Sequence, residues 1–492
     1  MHSKFRNFVR ERRRLVSVIV YGAINALPQL TNVVLVILYA SAFSLVEYGA
    51  FGILTVIVGL VGIGLDLGVP QAILRNFYDF HNDLRAAREY VADITFSAGI
   101  VAVATLPLLG LALYFGWFVF DVGRTYALIY ILLILGTAFF DRSLEMLGAI
   151  FRVLDRPFHY AAGRVAQTLA SLAAGVIFVF LLHLTVVGAL LAMMFGRMAG
   201  AVVYEALLRF DLGVRGGRFR WTGLKACLSF GLPLVPNRLA GWARTAALRP
   251  VLVGVIPLGE IGLFSLASSV SALPLLISTA VDLALSPHYF KQRVANSEGF
   301  TQRIEHFGTV SAAALMPLWA ALVVFCPELI RIFAGQRYEA AAPVCAILLC
   351  ASFVRAQHPF LLRQIHFLRE TWILPAMTIP CAALSIVLAL LLASRFGLSA
   401  VGWAALIADA SLYVALAVMI RIYERVHHPM AITLGLTAVL GLLASWVALE
   451  EPAPLDWPGL AAKTAIVAIV AIGSFAVWIW PNRAFIRDIA KR

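Results

Sequence analysis

Residues 44–79 read SLVEYGAFGILTVIVGLVGIGLDLGVPQAILRNFYD, and this stretch decides the fold of the chain. It opens with a polar turn that carries Glu47 and Gly49. About 20 apolar or small residues follow, which is the length of one bilayer crossing. Residues 65–70, Leu-Asp-Leu-Gly-Val-Pro, then interrupt the apolar run, because proline does not continue a helix. The stretch predicts a membrane-spanning helix that ends at a proline break, followed by a polar cluster that begins at Arg75.

A weaker copy of this stretch lies at residues 257–290, about 213 positions later. The matched residues are Glu47 with Glu260, Gly49 with Gly262, Phe51 with Phe264, Asp66 with Asp282, and Pro70 with Pro287. A second set, Leu184, Val187 and Gly188, recurs as Leu398, Val401 and Gly402. Several matches in the right order and at nearly one offset indicate an internal duplication.

The composition is that of a membrane protein. Hydrophobic residues make up 62% of the chain and charged residues 13%, whereas soluble domains are nearer half apolar and a quarter charged. The formal net charge of +13 does not indicate nucleic-acid binding, because basic residues that flank membrane spans anchor them on the cytoplasmic side. The five cysteines show no paired spacing, so we expect neither disulfides nor a metal site. No cofactor is expected.

We predict an all-α polytopic membrane protein. Fourteen spans are expected, at residues 15–42, 48–70, 91–115, 126–150, 160–183, 185–206, 226–250, 255–285, 307–325, 340–360, 372–394, 399–420, 430–449 and 460–480. With the N-terminus inside, the inner connections hold twenty-seven basic residues and the outer ones four. This asymmetry predicts that both termini are cytoplasmic.

The duplication predicts two pseudo-symmetric lobes of six helices each. The first lobe is expected at residues 1–212 and the second at 213–425, with residues 426–492 adding two C-terminal spans and a cytoplasmic tail. Six spans per copy give both lobes the same orientation in the membrane.

Several motifs resemble those of a known family. They are Glu47-Tyr48-Gly49, LGVPQAILR at 67–75, FGLPLVP at 230–236, RIFAG at 331–335 leading to Tyr338, and FGL at 396–398 leading to VGWA at 401–404. The sequence resembles the polysaccharide flippases, of the O-antigen type, in the multidrug/oligosaccharidyl-lipid/polysaccharide exporter superfamily. The likeness covers spans 1 to 12. Many relatives have Asp-Arg near the end of span 7, where this chain has Leu248-Arg249.

The resemblance implies two lobes facing each other across a central cavity that opens alternately to the two sides of the membrane. It implies a cargo of polyprenyl-diphosphate-linked oligosaccharide, moved from the inner to the outer leaflet of a bacterial cytoplasmic membrane. Lipopolysaccharide or another cell-surface polysaccharide would be the end product. Membrane lipid, H+ or Na+ as a coupling ion, and other polysaccharide-assembly proteins are the expected partners.

Ionisable residues inside spans are the candidates for cargo binding, since each costs about 2.5 to 3.5 kcal/mol at the bilayer centre and is kept mainly where it faces protein or water. Span 7 carries Arg238, Arg244 and Arg249 behind two prolines that allow a bend. Guanidinium groups bind diphosphate through forked hydrogen bonds. The alternative is that Arg249 only reaches the outer interface and that Arg244 pairs internally.

Further charged residues are candidates for coupling or gating. Asp66 and Asp282 occupy matching places and could carry a coupling ion, although hydrogen bonding to amides freed by the proline break is the favoured interpretation. Asp409 and Arg197 could pair with each other or bind cargo. Asp141 and Arg355 are 214 positions apart and could form a gate. The alternative is that Asp141 pairs locally, with Arg142 or with the partners of Glu145, and that Arg355 binds lipid phosphate.

Three function classes remain open at this point. A flippase for lipid-linked saccharide is favoured. A drug or cation exporter of the same superfamily would favour several cavity acids, whereas this chain has more arginine. A membrane enzyme of polysaccharide synthesis would need a catalytic loop or an in-membrane acid or histidine cluster, and no such constellation has credible spacing. We therefore expect a transporter and not an enzyme.

Overall fold

A computed structural model describes residue 24, residues 27–77, 84–120, 126–214, 216–279, 300–368, 372–424, 429–449 and 457–480, and residue 482. The predicted all-α fold is confirmed, since every regular secondary-structure element in these ranges is a helix. The chain divides into two compact units, the first ending at Trp242 and the second beginning at Ala243. The three-part division at residues 212 and 425 stays a prediction.

The first unit consists of helices that follow one another through short connections. They are α1 (Leu27–Ala42), α2 (Leu45–Asp66), α3 (Val69–Asn76), α4 (Leu84–Phe120), α5 (Ala127–Val153), α6 (Pro157–Gly175) with a π-helical turn (Val176–Leu181), α7 (Thr185–Phe210), α8 (Trp221–Gly231), a 3-10 turn (Leu232–Leu234) and α9 (Val235–Thr245). The division between the units falls inside α9.

The described residues of the second unit also form helices. Its helices are α10 (Leu248–Val251), α11 (Leu258–Ala272), α12 (Phe300–Val324), α13 (Cys326–Ala334), a 3-10 turn (Gln336–Ala341), α14 (Ala342–Leu368), α15 (Ile373–Glu424), α16 (Met430–Leu449) and α17 (Trp457–Ser474) with a π-helical turn (Phe475–Ile479).

The described residues contain ten helices long and apolar enough to cross a membrane, or eleven if the pair α12 and α13, bent by 61°, is one span. The exact count of fourteen is not confirmed. Predicted span 7 is divided among the short helices α8, α9 and α10. Predicted spans 11 and 12 run together in α15, which bends at Gly397. This glycine has φ +66°, a conformation that a residue without Cβ adopts at no steric cost.

The stretch at residues 44–79 folds as its sequence predicts over the part that is described. The side-chain oxygen of Ser44 caps the first turn of α2 by accepting from the Glu47 amide, and the Glu47 carboxylate accepts from the Ser44 amide at 2.9 Å. This reciprocal capping box satisfies two amides that the helix start leaves open. Helix α2 then ends at the predicted break, where Leu67 and Gly68 both have positive φ, and Pro70 lies in the first turn of α3.

The break brings together two of the motifs found in the sequence. A Cβ built on Gly68 would lie 2.5 Å from the carbonyl oxygen of Gly231, so the two backbones touch. The guanidinium of Arg75 lies over the Phe230 ring, 4.7 Å from its centroid. The end of α8 is therefore fixed against the α2–α3 turn, and this contact sets where α9 and its arginine Arg238 begin.

A hydrophobic core cluster of the first unit draws residues from α3, α4, α5, α6, α7 and α8, and its aromatic residues Phe151, Tyr160 and Tyr204 are fully buried. The Tyr204 hydroxyl donates to the Tyr160 carbonyl at 2.7 Å. Small residues on α6 and α7 let the helices approach closely, as is usual for packing inside membranes. This core gives the polar side chains of α5, α6 and α7 rigid supports.

In the second unit, α14 is buried along most of its length. The Trp319 indole of α12 donates to Ser352 of α14 at 2.9 Å. The two C-terminal helices are attached by polar contacts: Lys463 of α17 pairs with Glu328 of α13 at 2.6 Å, and Tyr413 of α15 donates to Thr433 of α16 at 3.0 Å.

Candidate functional site

The strongest concentration of buried charge in the second unit is a group of two arginines around one carboxylate. Asp409 of α15 has a side chain only 2% exposed. Its Oδ1 accepts from Nη1 of Arg244, on the last turn of α9, and its Oδ2 accepts from Nη2 of Arg355, on α14, at 2.7 Å. The group carries two positive charges and one negative charge. Arg355 and Asp409 lie in helices long and apolar enough to cross a membrane, and Arg244 lies in the short helix α9.

Several nitrogen atoms in and around this group make no hydrogen bond. Within the described part of the chain, the Nε atoms of Arg244 and Arg355 are buried and have no hydrogen-bond partner. The same is true of Nε2 of His358 and Nε2 of Gln357, which lie on α14 within one turn of Arg355. The His358 ring stacks on Tyr413 and lies within the electric field of Arg244, Asp409 and Arg355. The arrangement suits an anion with several acceptor oxygens.

In the first unit, Arg238 of α9 pairs with Asp66 at the end of α2. The carboxylate uses Oδ2 for this pair, and its Oδ1 is buried without a partner among the described residues. The favoured sequence interpretation, that Asp66 hydrogen-bonds freed amides, is therefore wrong. The reason is that the contact between Gly68 and Gly231 carries α9 past the end of α2. The Trp242 indole donates to the Val56 carbonyl at 3.1 Å and fixes the same helix.

A third arginine, Arg142 of α5, is buried beside this pair. Its Nη2 donates to the sulfur of Met146 at 3.7 Å, and its Nε has no partner in the described ranges. The charge of Asp66 acts on it electrostatically. One helical turn further along α5, Glu145 accepts from Arg164 of α6 at 2.6 Å. The first unit thus also buries more arginine than acid near the end of α2.

The structure assigns partners to the remaining candidates. Asp141 of α5 accepts from Nε of Arg197 of α7 at 2.6 Å. The expected alternatives, pairing of Asp141 with Arg142 or with the partner of Glu145, and pairing of Arg197 with Asp409, are not what the structure shows. Helices α5 and α7 pack directly against each other, and this packing brings Asp141 within hydrogen-bond distance of Arg197.

Arg249 and Asp282 are the remaining two candidates. Arg249 lies in the short helix α10. Asp282 lies outside the described residues. The sequence interpretation did not single out His358 or Gln357, although spacings of two and three from Arg355 place them within one helical turn of it. It also overlooked Lys463 and Glu328. The described part of the chain contains no group of three or more His, Cys, Asp and Glu residues that could hold a metal ion.

Comparisons with known proteins fit this fold. Residues 38–343 match the model of a family described as polysaccharide biosynthesis protein. The structure is similar to that of a lipid II flippase, MurJ, in an inward closed conformation, with a TM-score of 0.72, 12% identity, and coverage of 95% of this chain and 100% of that chain. No curated protein sequence matches the chain.

Multidrug transporters share the fold as well. An inward-facing MATE family transporter of the MOP superfamily matches with a TM-score of 0.57 and 16% identity, covering 86% of this chain and 96% of that chain. A MATE transporter from Vibrio cholerae matches with a TM-score of 0.57 and 15% identity, covering 83% of this chain and 97% of that chain. At these identities the likeness extends to the fold alone.

Proposed function

The chain belongs to the polysaccharide biosynthesis protein family, and from this membership we propose that it is a membrane transporter for a polyprenyl-diphosphate-linked oligosaccharide. It moves this cargo from the inner to the outer leaflet by alternating access and so supplies the assembly of cell-surface polysaccharide. Similarity in fold to a lipid II flippase supports this assignment, because that relative acts on a lipid.

The observation that carries the proposal is the group formed by Arg244, Arg355 and Asp409. Two guanidinium groups share one buried carboxylate, which leaves an excess positive charge where each buried ion costs several kcal/mol to keep. An anionic head group offsets this cost when it binds. Diphosphate fits in particular, since guanidinium presents paired donors to phosphate oxygens. A saccharide carried on diphosphate would therefore be held at its most highly charged part.

The proposed orientation follows the charge asymmetry of the connections, and the proposed location follows what the sequence resemblance implies. We place both termini in the cytoplasm and the protein in a bacterial cytoplasmic membrane, where the positive-inside rule applies to short loops. The two six-helix lobes are proposed at residues 1–212 and 213–425. H+ or Na+ as a coupling ion and other polysaccharide-assembly proteins remain the proposed partners.

The second candidate is export of drugs or organic cations, which the fold shared with MATE transporters keeps open. A cation site needs unpaired acids facing the substrate. Here the buried acids Asp66 and Asp409 and the half-buried acid Asp141 each accept from at least one arginine. This balance favours the anionic cargo. Efflux of a fluorescent cationic dye by the purified, reconstituted protein, with no transfer of lipid-linked saccharide, would reverse the order of the two candidates.

The decisive experiment removes the charge of Arg244. Full-length protein is reconstituted into vesicles that hold a polyprenyl-diphosphate saccharide, and a membrane-impermeant glycosidase reports the fraction that has crossed. Arg244→Ala should abolish crossing, and Arg244→Lys should restore it in part, because a point charge lacks the paired donors. Arg209→Ala is the matched control, since Arg209 is exposed and, among the described residues, pairs only with its helix neighbour Glu205. Crossing at the wild-type rate in Arg244→Ala would refute the head-group site.

A further inference from the structure

We propose that Asp409 is a built-in competitor of the cargo: between transport cycles its carboxylate occupies the place of a phosphate group between Arg244 and Arg355. Cargo binds by displacing the carboxylate, and the carboxylate returns when cargo leaves. The inference rests on the proposed function, because it names the residue that sets how tightly the head group is held.

The geometry supports a carboxylate standing in for phosphate. Each Asp409 oxygen accepts from a different arginine, Oδ1 from Arg244 and Oδ2 from Arg355. Two oxygens on one centre, each facing a guanidinium, is also how a phosphate group binds two arginines. With its side chain 2% exposed, Asp409 has little water to compete for it. Its interaction with both arginines is therefore strong enough to oppose a ligand.

The unsatisfied donors show why diphosphate can win this competition. Asp409 supplies two oxygens, whereas Nε of Arg244, Nε of Arg355 and Nε2 of Gln357 stay buried without partners among the described residues. A diphosphate carries more acceptor oxygens than a carboxylate and can satisfy these donors as well. Its larger negative charge also offsets the positive charge that one carboxylate leaves over. In the empty site only some of the hydrogen-bond donors have an acceptor, and in the loaded site more of them do.

Competition also solves the problem of release. Leaving two buried guanidinium groups without an anion would be strongly unfavourable, so a site with no internal anion would hold its cargo too tightly to turn over. When Asp409 exchanges with the cargo, both arginines keep an anionic partner throughout. The free-energy difference between the loaded and empty sites is reduced by the energy of the Asp409 pairs, and cargo affinity falls to a level that permits release.

The test measures binding and transport in the same full-length variants. Purified protein in nanodiscs is titrated with farnesyl diphosphate, and farnesol, which lacks the diphosphate, serves as the probe for lipid-chain binding. Asp409→Asn keeps the shape of the side chain but removes its charge, and Asp409→Ser removes the carboxylate altogether. Both should bind farnesyl diphosphate about 10-fold more tightly than wild type or better, with unchanged farnesol binding. Saccharide crossing in vesicles should become slower, because release is impaired.

Destabilised variants still give an answer. If Asp409→Asn lowers the unfolding temperature, saturating inorganic pyrophosphate should restore it towards the wild-type value, because the ligand replaces the missing anion. Glu205→Gln, in an exposed pair with Arg209, is the control and should change neither affinity nor transport. Unchanged or weaker diphosphate binding in both neutral Asp409 variants, or no pyrophosphate rescue, would overturn the inference.

The head-group site and the competitor role of Asp409 can be refuted separately. Should Arg244→Ala bind farnesyl diphosphate as well as wild type does, the head-group site itself is wrong, and with it the proposed function. If Arg244→Ala loses binding while Asp409→Asn gains none, the head-group site stands and only the competitor role of Asp409 is refuted.

Discussion

The contact between the α2–α3 turn and the end of α8 makes a quantitative prediction for Gly68→Ala. Gly68 has φ +74°, and an added Cβ would lie 2.5 Å from the carbonyl oxygen of Gly231 and 2.6 Å from its Cα. A positive φ costs an L-residue about 1–2 kcal/mol. The overlap is with backbone, which cannot rotate away, and overpacking of this kind costs about 1–3 kcal/mol. Together the two terms predict a loss of about 2–5 kcal/mol in the free energy of unfolding.

Two other glycines separate these terms. Gly213 has φ +65° with nothing within 4 Å of an added Cβ, so Gly213→Ala should cost only the conformational term, about 1–2 kcal/mol. Gly62 lies within α2, has open space and needs no positive φ, so Gly62→Ala should be neutral or stabilising by up to about 1 kcal/mol.

The assay for these three variants is unfolding of purified protein by SDS titration in mixed micelles, followed by tryptophan fluorescence. The expected order of destabilisation is Gly68→Ala, then Gly213→Ala, then Gly62→Ala. Equal losses for Gly68→Ala and Gly213→Ala would mean that the backbone contact with Gly231 is absent and does not set the position of α9.

Two further predictions follow from charge. A cysteine at Gly116 should react with an impermeant maleimide from outside the cell and one at Gly216 should not, because the basic connections lie inside; external labelling of Gly216 would break the proposed topology. Asp141→Arg and Arg355→Asp should each impair transport, and if these residues form a gate in another state, the double variant should recover a substantial part. A double variant no better than the worse single one would leave only their local pairs.

The sequence predicted the elements of this fold better than their contacts. The capping residues Ser44 and Glu47 and the break before Pro70 fix the ends of α2 through local chemistry, which a sequence displays directly. The partner of Asp66 was missed for a different reason. It depends on a contact between Gly68 and Gly231, more than a hundred residues apart, and glycine carries no side chain whose pattern would reveal it.

The charged candidate residues also show that contacts are harder to predict from sequence than helices are. The repeat offset identified Asp141 and Arg355 as equivalent positions, and Arg197 and Asp409 are 212 positions apart, close to the same offset. Each of the four nevertheless pairs within its own unit, Asp141 with Arg197 and Arg355 with Asp409. An offset reports which residues are equivalent, whereas contact depends on which helices pack together.

The order of acid and arginine along the chain is also reversed between the two pairs. In the first unit the acid is on α5 and the arginine on α7, while in the second the arginine is on α14 and the acid on α15. Exchanging partners between the pairs would leave every one of these four groups matched with an opposite charge. If only the local pairs exist, the double variant should not recover transport. Asp141→Arg would place an arginine against Arg197, and Arg355→Asp would place an aspartate against Asp409, so the double variant contains two like-charge contacts. Recovery in that variant would therefore require an interaction that the two local pairs do not provide.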